Sequence, residues 1–254
     1  MQRKKSQTSL CTHIGFPIST CLRGLLERSN PKKHSVSGSW PETNYWTRCI
    51  QDAKLGPQAR FKENLGLFLE AVHRETEDRD TGIVLDLESY IDIRRDTSGC
   101  KMSFDFIEYT MGIDLPDTVI NDPIVKALNQ FINDVVIWSN DIFSYHVEQS
   151  RGDTHNMIII LMTHQKMSLQ DAVDHVGDLC KETIDGFIKA KGRLPSWGPD
   201  IDAAISVYVE GLQNWTVGSL HWSFMTERYC GTEGAEVKRS RVVKLLQKQS
   251  GLTG

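Results

Sequence analysis

The sequence predicts an all-α fold in the form of a globular helical bundle. From Asn44 onward, apolar residues recur three and four positions apart over stretches near 44–54, 58–79, 84–96, 103–110, 122–150, 153–165, 168–191 and 200–228. That spacing belongs to helices with one face turned to a core. No comparable stretch alternates apolar and polar residues as a half-buried strand would. No internal repeat and no sustained heptad run is present, which excludes a solenoid and a free coiled coil.

Taken in order, residues 1–42 are rich in Ser, Lys, Arg, Pro and Gly, with turn signals at Asn30-Pro31, Ser37-Gly38 and Trp40-Pro41. They predict an extended, poorly ordered arm ahead of a helical domain over 43–231 and a tail with a short helix over 232–254. In the helix over 84–96, Leu87, Tyr90, Ile91 and Arg94 share one stripe, while Arg95 falls on the other side with Glu88 and Asp92. An inward guanidinium needs an anion, either a phosphate or the carboxylate of a buried ion pair.

Asn121-Asp122-Pro123 supplies a cap and a first-turn proline for the long helix over 122–150. Its apolar row Leu128, Ile132, Val136 continues at the same four-residue step into Asn140, Ser144 and Glu148. The three side chains therefore lie along one narrow sector. An amide oxygen, a hydroxyl and one carboxylate suit a hard cation such as Mg²⁺, whereas zinc prefers His or Cys. The alternative is three solvated helix-surface polars.

Ser168 to Asp171 resembles a capping start, and Leu194-Pro195 and Gly198-Pro199 separate the last two long helices. In the final one Ile201, Ile205, Tyr208, Leu212, Trp215, Ser219, Trp222 and Tyr229 form an inward row with one turn skipped at Thr226. Tyr229 then faces the bundle, and Arg228 beside it could donate to a phosphate or sit at a helix end as an interfacial residue. Phe104, Phe131, Trp138, Phe143, Trp215, Trp222 and Phe224 could pack in the core or line a pocket for a cation.

Composition narrows the partners. The 254 residues suffice for one domain, and 29 Lys plus Arg against 33 Asp plus Glu give a net charge of −4 without a long basic block. Nucleic acid is therefore excluded as the expected partner. No run of about 18 apolar residues occurs, so no membrane span is expected. The six cysteines form no CxxC pair and the eight histidines no HExxH, so neither marks a metal site. Reduced thiols in the cytoplasm are the expectation.

The run Asn140-Asp141-Ile142-Phe143-Ser144-Tyr145-His146-Val147-Glu148, followed by Gly152 and His155-Asn156, resembles the NDxxSxxxE motif of fungal sesquiterpene synthases, which are class I terpene synthases. With Gly177 to Cys180 and Leu194 to Pro199, the chain is similar to basidiomycete enzymes of the Δ6-protoilludene synthase group over about Asn44 to Gly231. The resemblance implies a class I terpene synthase α-helical bundle that cyclises farnesyl diphosphate and releases diphosphate. Asn140, Ser144 and Glu148 would hold Mg²⁺. The family's diphosphate-sensing arginine precedes the motif's Asn by 46 positions, which falls on Arg94 rather than Arg95. The segment Trp215 to Gly231 resembles the terminal Arg-Tyr region, so Arg228 and Tyr229 would bind diphosphate oxygens.

Two departures qualify this expectation. Val147 stands where many relatives have lysine, and residues 1–30 contain no Asp-[Asp/Glu]-x-x-Asp motif of the kind that holds further magnesium ions in the family. The acidic clusters Glu75-Thr76-Glu77-Asp78 and Asp78-Arg79-Asp80 lie downstream and read as solvated helix charge. The expectation is then an N-terminally incomplete bundle. The alternatives are a catalytically impaired remnant that keeps diphosphate affinity and a helical interaction module without a ligand.

Overall fold

The computed structural model describes residues 51–248. The arm expected over 1–42 and most of the stretch over 44–54 lie outside the described residues. The helices are α1 (Leu55–Thr81), α2 (Leu87–Thr97), α3 (Cys100–Met111), α4 (Asp117–Ile120), α5 (Pro123–Arg151), α6 (Met157–His164), α7 (Leu169–Lys191), α8 (Pro199–Met225), α9 (Glu227–Cys230) and, after a 3₁₀ turn, α10 (Gly234–Ser240). No strand occurs among the described residues, and none of their helices is long and apolar enough to cross a membrane. The all-α expectation holds.

Helix α5 is the centre. One apolar cluster joins Phe104 and Ile107 of α3, Leu128 and Ile132 of α5, and Tyr208 and Leu212 of α8. A second joins Tyr90 of α2, Ile137 and Trp138 of α5, Met157 and Leu161 of α6, and Val176 of α7. Burial of these side chains fixes which face of α5 each neighbour covers. Phe104 and Trp138 are thus buried core residues, with Phe131 and Trp215 packed against the first cluster.

Local chemistry sets the ends that matter for the site. Asp122 accepts from the Ile124 amide at 2.8 Å and Pro123 opens α5, whose last turn closes on Gly152 at φ +80°. Asn156 caps α6 by accepting from the Ile158 amide at 2.9 Å. The helical pattern over 153–165 therefore starts later than the sequence suggested, because residues 153–156 form the turn that returns the chain to α5. The turn skipped at Thr226 is a real break. Thr226 is extended (φ −74°, ψ 141°), and its hydroxyl accepts from the Arg228 amide to begin α9.

The placement of Arg95 corrects the sequence reading. Its guanidinium makes two parallel bonds of 2.8 Å to the buried carboxylate of Asp134 on α5, so it is an inter-helix clamp and no outward-facing residue. Both arginines of α2 reach carboxylates on α5, Arg94 at Asp141 and Arg95 at Asp134, which one helix's own periodicity does not reveal. Likewise Glu75 is only 17% exposed and pairs with Arg79 at 2.5 Å, so that acidic cluster is partly buried.

Candidate active site

Asn140, Ser144 and Glu148 occupy one side of the second half of α5, and each is tied to a neighbour. The Asn140 side-chain oxygen accepts from Arg94 Nη2 at 2.8 Å, and its Nδ2 donates to the Tyr229 hydroxyl at 2.6 Å. Because arginine only donates, the amide has its oxygen toward Arg94 and its NH₂ toward Tyr229. The structure therefore brings Arg94 of α2, Asn140 of α5 and Tyr229 of α9 into one hydrogen-bonded row. Ser144 is buried, and Glu148 lies one turn beyond it.

A single residue holds the other two side chains of the triad. Asn156, fully buried, donates through Nδ2 to Glu148 Oε2 at 2.9 Å and to the Asp141 carbonyl at 2.8 Å, with Ser144 Oγ at 3.5 Å. The same amide's oxygen caps α6. Asn156 thus positions the carboxylate and hydroxyl by the bond that also starts the next helix. A residue role was not assigned to it from sequence, although its place just before the apolar run Met157 to Leu161 is a legible cap.

Asp141 was also missed. Its buried carboxylate accepts from Arg94 Nε at 3.3 Å and Nη2 at 3.2 Å, from the Met157 amide at 3.0 Å and from the Tyr90 hydroxyl. The inward Arg94 is therefore an ion-paired arginine, as one of the two sequence readings allowed, and its partner is adjacent in sequence to Asn140. Burial pushes the Asp141 carboxyl up, and Arg94, Tyr90 and Met157 pull it back. Burial opposes the charge on Arg94, but Asp141, Tyr90 and Glu148 outweigh it and hold the guanidinium above its ordinary value. Burial likewise raises Glu148, Asp141 adds to that, and Asn156, Arg94 and Ser144 oppose it. The buried Asp141 and the half-buried Glu148 face a single guanidinium, so the site has room for a further cation.

Tyr229 is 5% exposed, edge-on to Trp222 at 5.8 Å and beside Phe143 at 6.2 Å, while Phe143 meets Phe224 edge-on at 4.8 Å. His146 on α5 contacts the Tyr229 carbonyl through Nε2, which fastens α9 to α5. Arg228 is not part of the row. It is exposed, with its guanidinium 5.6 Å from the centre of the Tyr229 ring. Trp222, expected on the inward row, is 38% exposed because the α8 stripe opens toward solvent in its last turns.

The amide, hydroxyl and carboxylate fit a hard, oxygen-binding cation. Among the described residues no group of three or more His, Cys, Asp or Glu gathers to hold a metal ion, so a cation here would rest on the neutral Asn140 and Ser144 oxygens beside Glu148.

Residues 42–185 match the family model described as terpene synthase family 2, C-terminal metal binding. The chain belongs to that terpene synthase family. The matched region contains Arg94 and the whole Asn140-Ser144-Glu148 triad, and ends before Arg228 and Tyr229. The chain is 61% identical over 203 residues to alpha-muurolene synthase of Coprinopsis cinerea, covering 80% of this chain and 48% of that protein. It is 37% identical over 226 residues to a Delta(6)-protoilludene synthase of Stereum hirsutum, covering 87% of this chain and 61% of that protein. The chain spans about half the length of the curated relatives it matches. Its fold is that of the crystal structure of a-eudesmol synthase, with a TM-score of 0.69 at 22% identity over 86% of this chain and 74% of that one. The class I terpene synthase α-helical fold expected from the motif is thereby established.

Proposed function

We propose that this terpene synthase binds farnesyl diphosphate with Mg²⁺ and cyclises it to a cyclic sesquiterpene, releasing diphosphate. The observation that carries the reading is the row Arg94–Asn140–Tyr229 beside Ser144 and Glu148, which sets anion donors against cation ligands at one place. Relatives named as sesquiterpene synthases, at 62% identity in one case and 54% in another, support the substrate and reaction class.

Asn140, Ser144 and Glu148 would hold Mg²⁺, which when bound supplies positive charge that stabilises the departing diphosphate. The chain's own donors do the rest. The Tyr229 oxygen accepts from Asn140, so its proton is available to a phosphate oxygen. Arg94 is held charged by Asp141 next to the same point. Exposed Arg228 can turn from the Tyr229 ring toward an incoming anion. The free thiols Cys100, Cys180 and Cys230 suit a cytoplasmic setting.

A second reading is binding without efficient turnover. It is favoured by the absence of an Asp-[Asp/Glu]-x-x-Asp motif in residues 1–30 and of any group of three or more His, Cys, Asp or Glu able to hold a metal ion among the described residues. Incubating the purified chain with farnesyl diphosphate and Mg²⁺ and analysing volatile products separates the two. A sesquiterpene hydrocarbon dependent on Mg²⁺ and on Glu148 establishes the first; tight substrate retention with no product establishes the second.

A further inference from the structure

The last stretch of chain differs in charge from everything before it. Residues 237–254 hold five Lys and Arg and no Asp or Glu, so the preceding residues hold 24 against 33, and the net −4 divides into +5 and −9. Among these cations stand four aliphatic residues, Val242, Val243, Leu245 and Leu246, each between 41% and 65% exposed. Single exposed aliphatics are ordinary on a surface, but four within five positions form a patch. We propose that residues 241–248 dock this protein on an anionic phospholipid surface, the cations meeting the headgroups and the aliphatics entering the acyl boundary beneath.

The local geometry leaves both kinds of side chain available. Residues 241–248 are exposed throughout and have no regular structure. Helix α10 stops at Ser240 because Arg241 turns to φ +61°, a left-handed conformation that a residue with a Cβ adopts only at a cost. Arg239, still within α10, is paired with Glu236 at 2.6 Å. Arg241, Lys244 and Lys248 have no ion pair among the described residues, so their charge faces solvent.

Their order also sorts the two chemistries. At helical spacing Arg241, Lys244 and Lys248 fall at i, i+3 and i+7 on one side, while Val242, Leu245 and Leu246 fall at i, i+3 and i+4 on another. Basic residues on one side and aliphatics on the other are what a segment lying in a membrane interface requires. An anionic bilayer meets both needs at once, with fixed negative charge over an apolar layer. Nucleic acid or a polyanionic peptide satisfies the cations only. The negative remainder of the molecule is repelled by the same surface, which orients the chain tail-first.

The tail lies close to the candidate active site. The Leu246 carbonyl accepts from Gln149 Nε2 at 2.7 Å, and Gln149 follows Glu148 on α5. Docking therefore brings the end of α5 toward lipid, where a hydrocarbon product would partition. The docking itself does not depend on the cyclase reading.

The test is co-sedimentation of the purified chain with sucrose-loaded vesicles of phosphatidylcholine alone, and of phosphatidylcholine with phosphatidylserine in equal parts. The chain is expected to bind the phosphatidylserine vesicles about tenfold or more tightly than the neutral ones and to lose that preference in high salt. Arg241→Gln/Lys244→Gln/Lys248→Gln and, separately, Leu245→Ser/Leu246→Ser are each expected to weaken binding to the anionic vesicles about tenfold or more. All these side chains are exposed, so neither variant is expected to shift the melting temperature. Equal binding to the two kinds of vesicle, or binding to neither, overturns the proposal. Unchanged binding by the charge variant moves the attraction to another part of the chain, and unchanged binding by the leucine variant reduces it to charge alone; either result overturns the docking as stated. Capture on immobilised polyglutamate with none on the vesicles assigns the tail to an acidic protein and overturns it too. None of these readouts involves catalysis, so their failure leaves the proposed reaction standing.

Discussion

At residue scale, α2 carries two arginines side by side that do different work. Arg94 ends at Asp141 and Asn140, and Arg95 at Asp134. Arg95→Ala leaves a buried carboxylate without its bidentate partner and is expected to cost about 1–3 kcal/mol of folding stability while leaving Mg²⁺-dependent diphosphate affinity within twofold of wild type. Arg94→Ala is expected to weaken that affinity at least tenfold. Urea denaturation and calorimetric titration of both variants check the pair; equal losses of diphosphate affinity would contradict the division. Asn156→Ala removes the α6 cap and the bond to Glu148 together. It is expected to lower stability by about 1 kcal/mol and to weaken Mn²⁺ binding. A variant that loses stability but binds Mn²⁺ as wild type does would show that Asn156 only caps. Of these residues, sequence periodicity singled out Arg94, Asn140, Ser144 and Glu148, because all lie on apolar stripes. Asp141, Asn156 and the Arg95–Asp134 clamp could not be read, since each depends on which helix packs against which.

At the scale of the element, helices legible in sequence are those whose pattern is long. The stretches over 58–79, 122–150 and 168–191 correspond to α1, α5 and α7 within a few residues, whereas the four-residue α4 is too short to show a period. The break at Thr226 was visible as a skipped turn and Tyr229 is inward as expected, but the outward placement of Arg228 was not legible. Helix α10 holds that geometry in place. A Cβ on Gly234 would overlap the Phe224 carbonyl, so α10 packs closely against the end of α8 only with glycine there. Gly234→Ala is expected to detach α10, expose Tyr229 and lower diphosphate affinity, with hydrogen exchange in residues 226–240 as the readout. Unchanged protection of that segment would show that α10 adjusts without cost to the site.

At the scale of the molecule, stability is tied to pH away from the site. Asp105 on α3 is buried, and its carboxyl is pushed up from 3.8 to about 7 by burial, with Asn64 at 2.8 Å opposing and Glu108 adding to the rise. The folded protein then binds that proton more tightly than the unfolded chain does. The contribution is whole below about pH 4 and is lost as pH rises through about 7, by at most about 4 kcal/mol. Asp105→Asn is expected to flatten the fall in stability between pH 5 and 8 measured by urea denaturation; an unchanged slope would place the titration elsewhere. The helical architecture and the triad were legible because periodicity and a local motif carry them, while the wall of the site is made by helices distant in sequence. The central claim is that the triad, Arg94 and Tyr229 form one metal-dependent anion site. Calorimetric titration of inorganic diphosphate into the purified chain, with Mg²⁺ and with EDTA, tests it most directly. Binding that requires Mg²⁺ and is lost in Glu148→Ala is the predicted result, and binding indifferent to both Mg²⁺ and Glu148, or no binding at all, would contradict it.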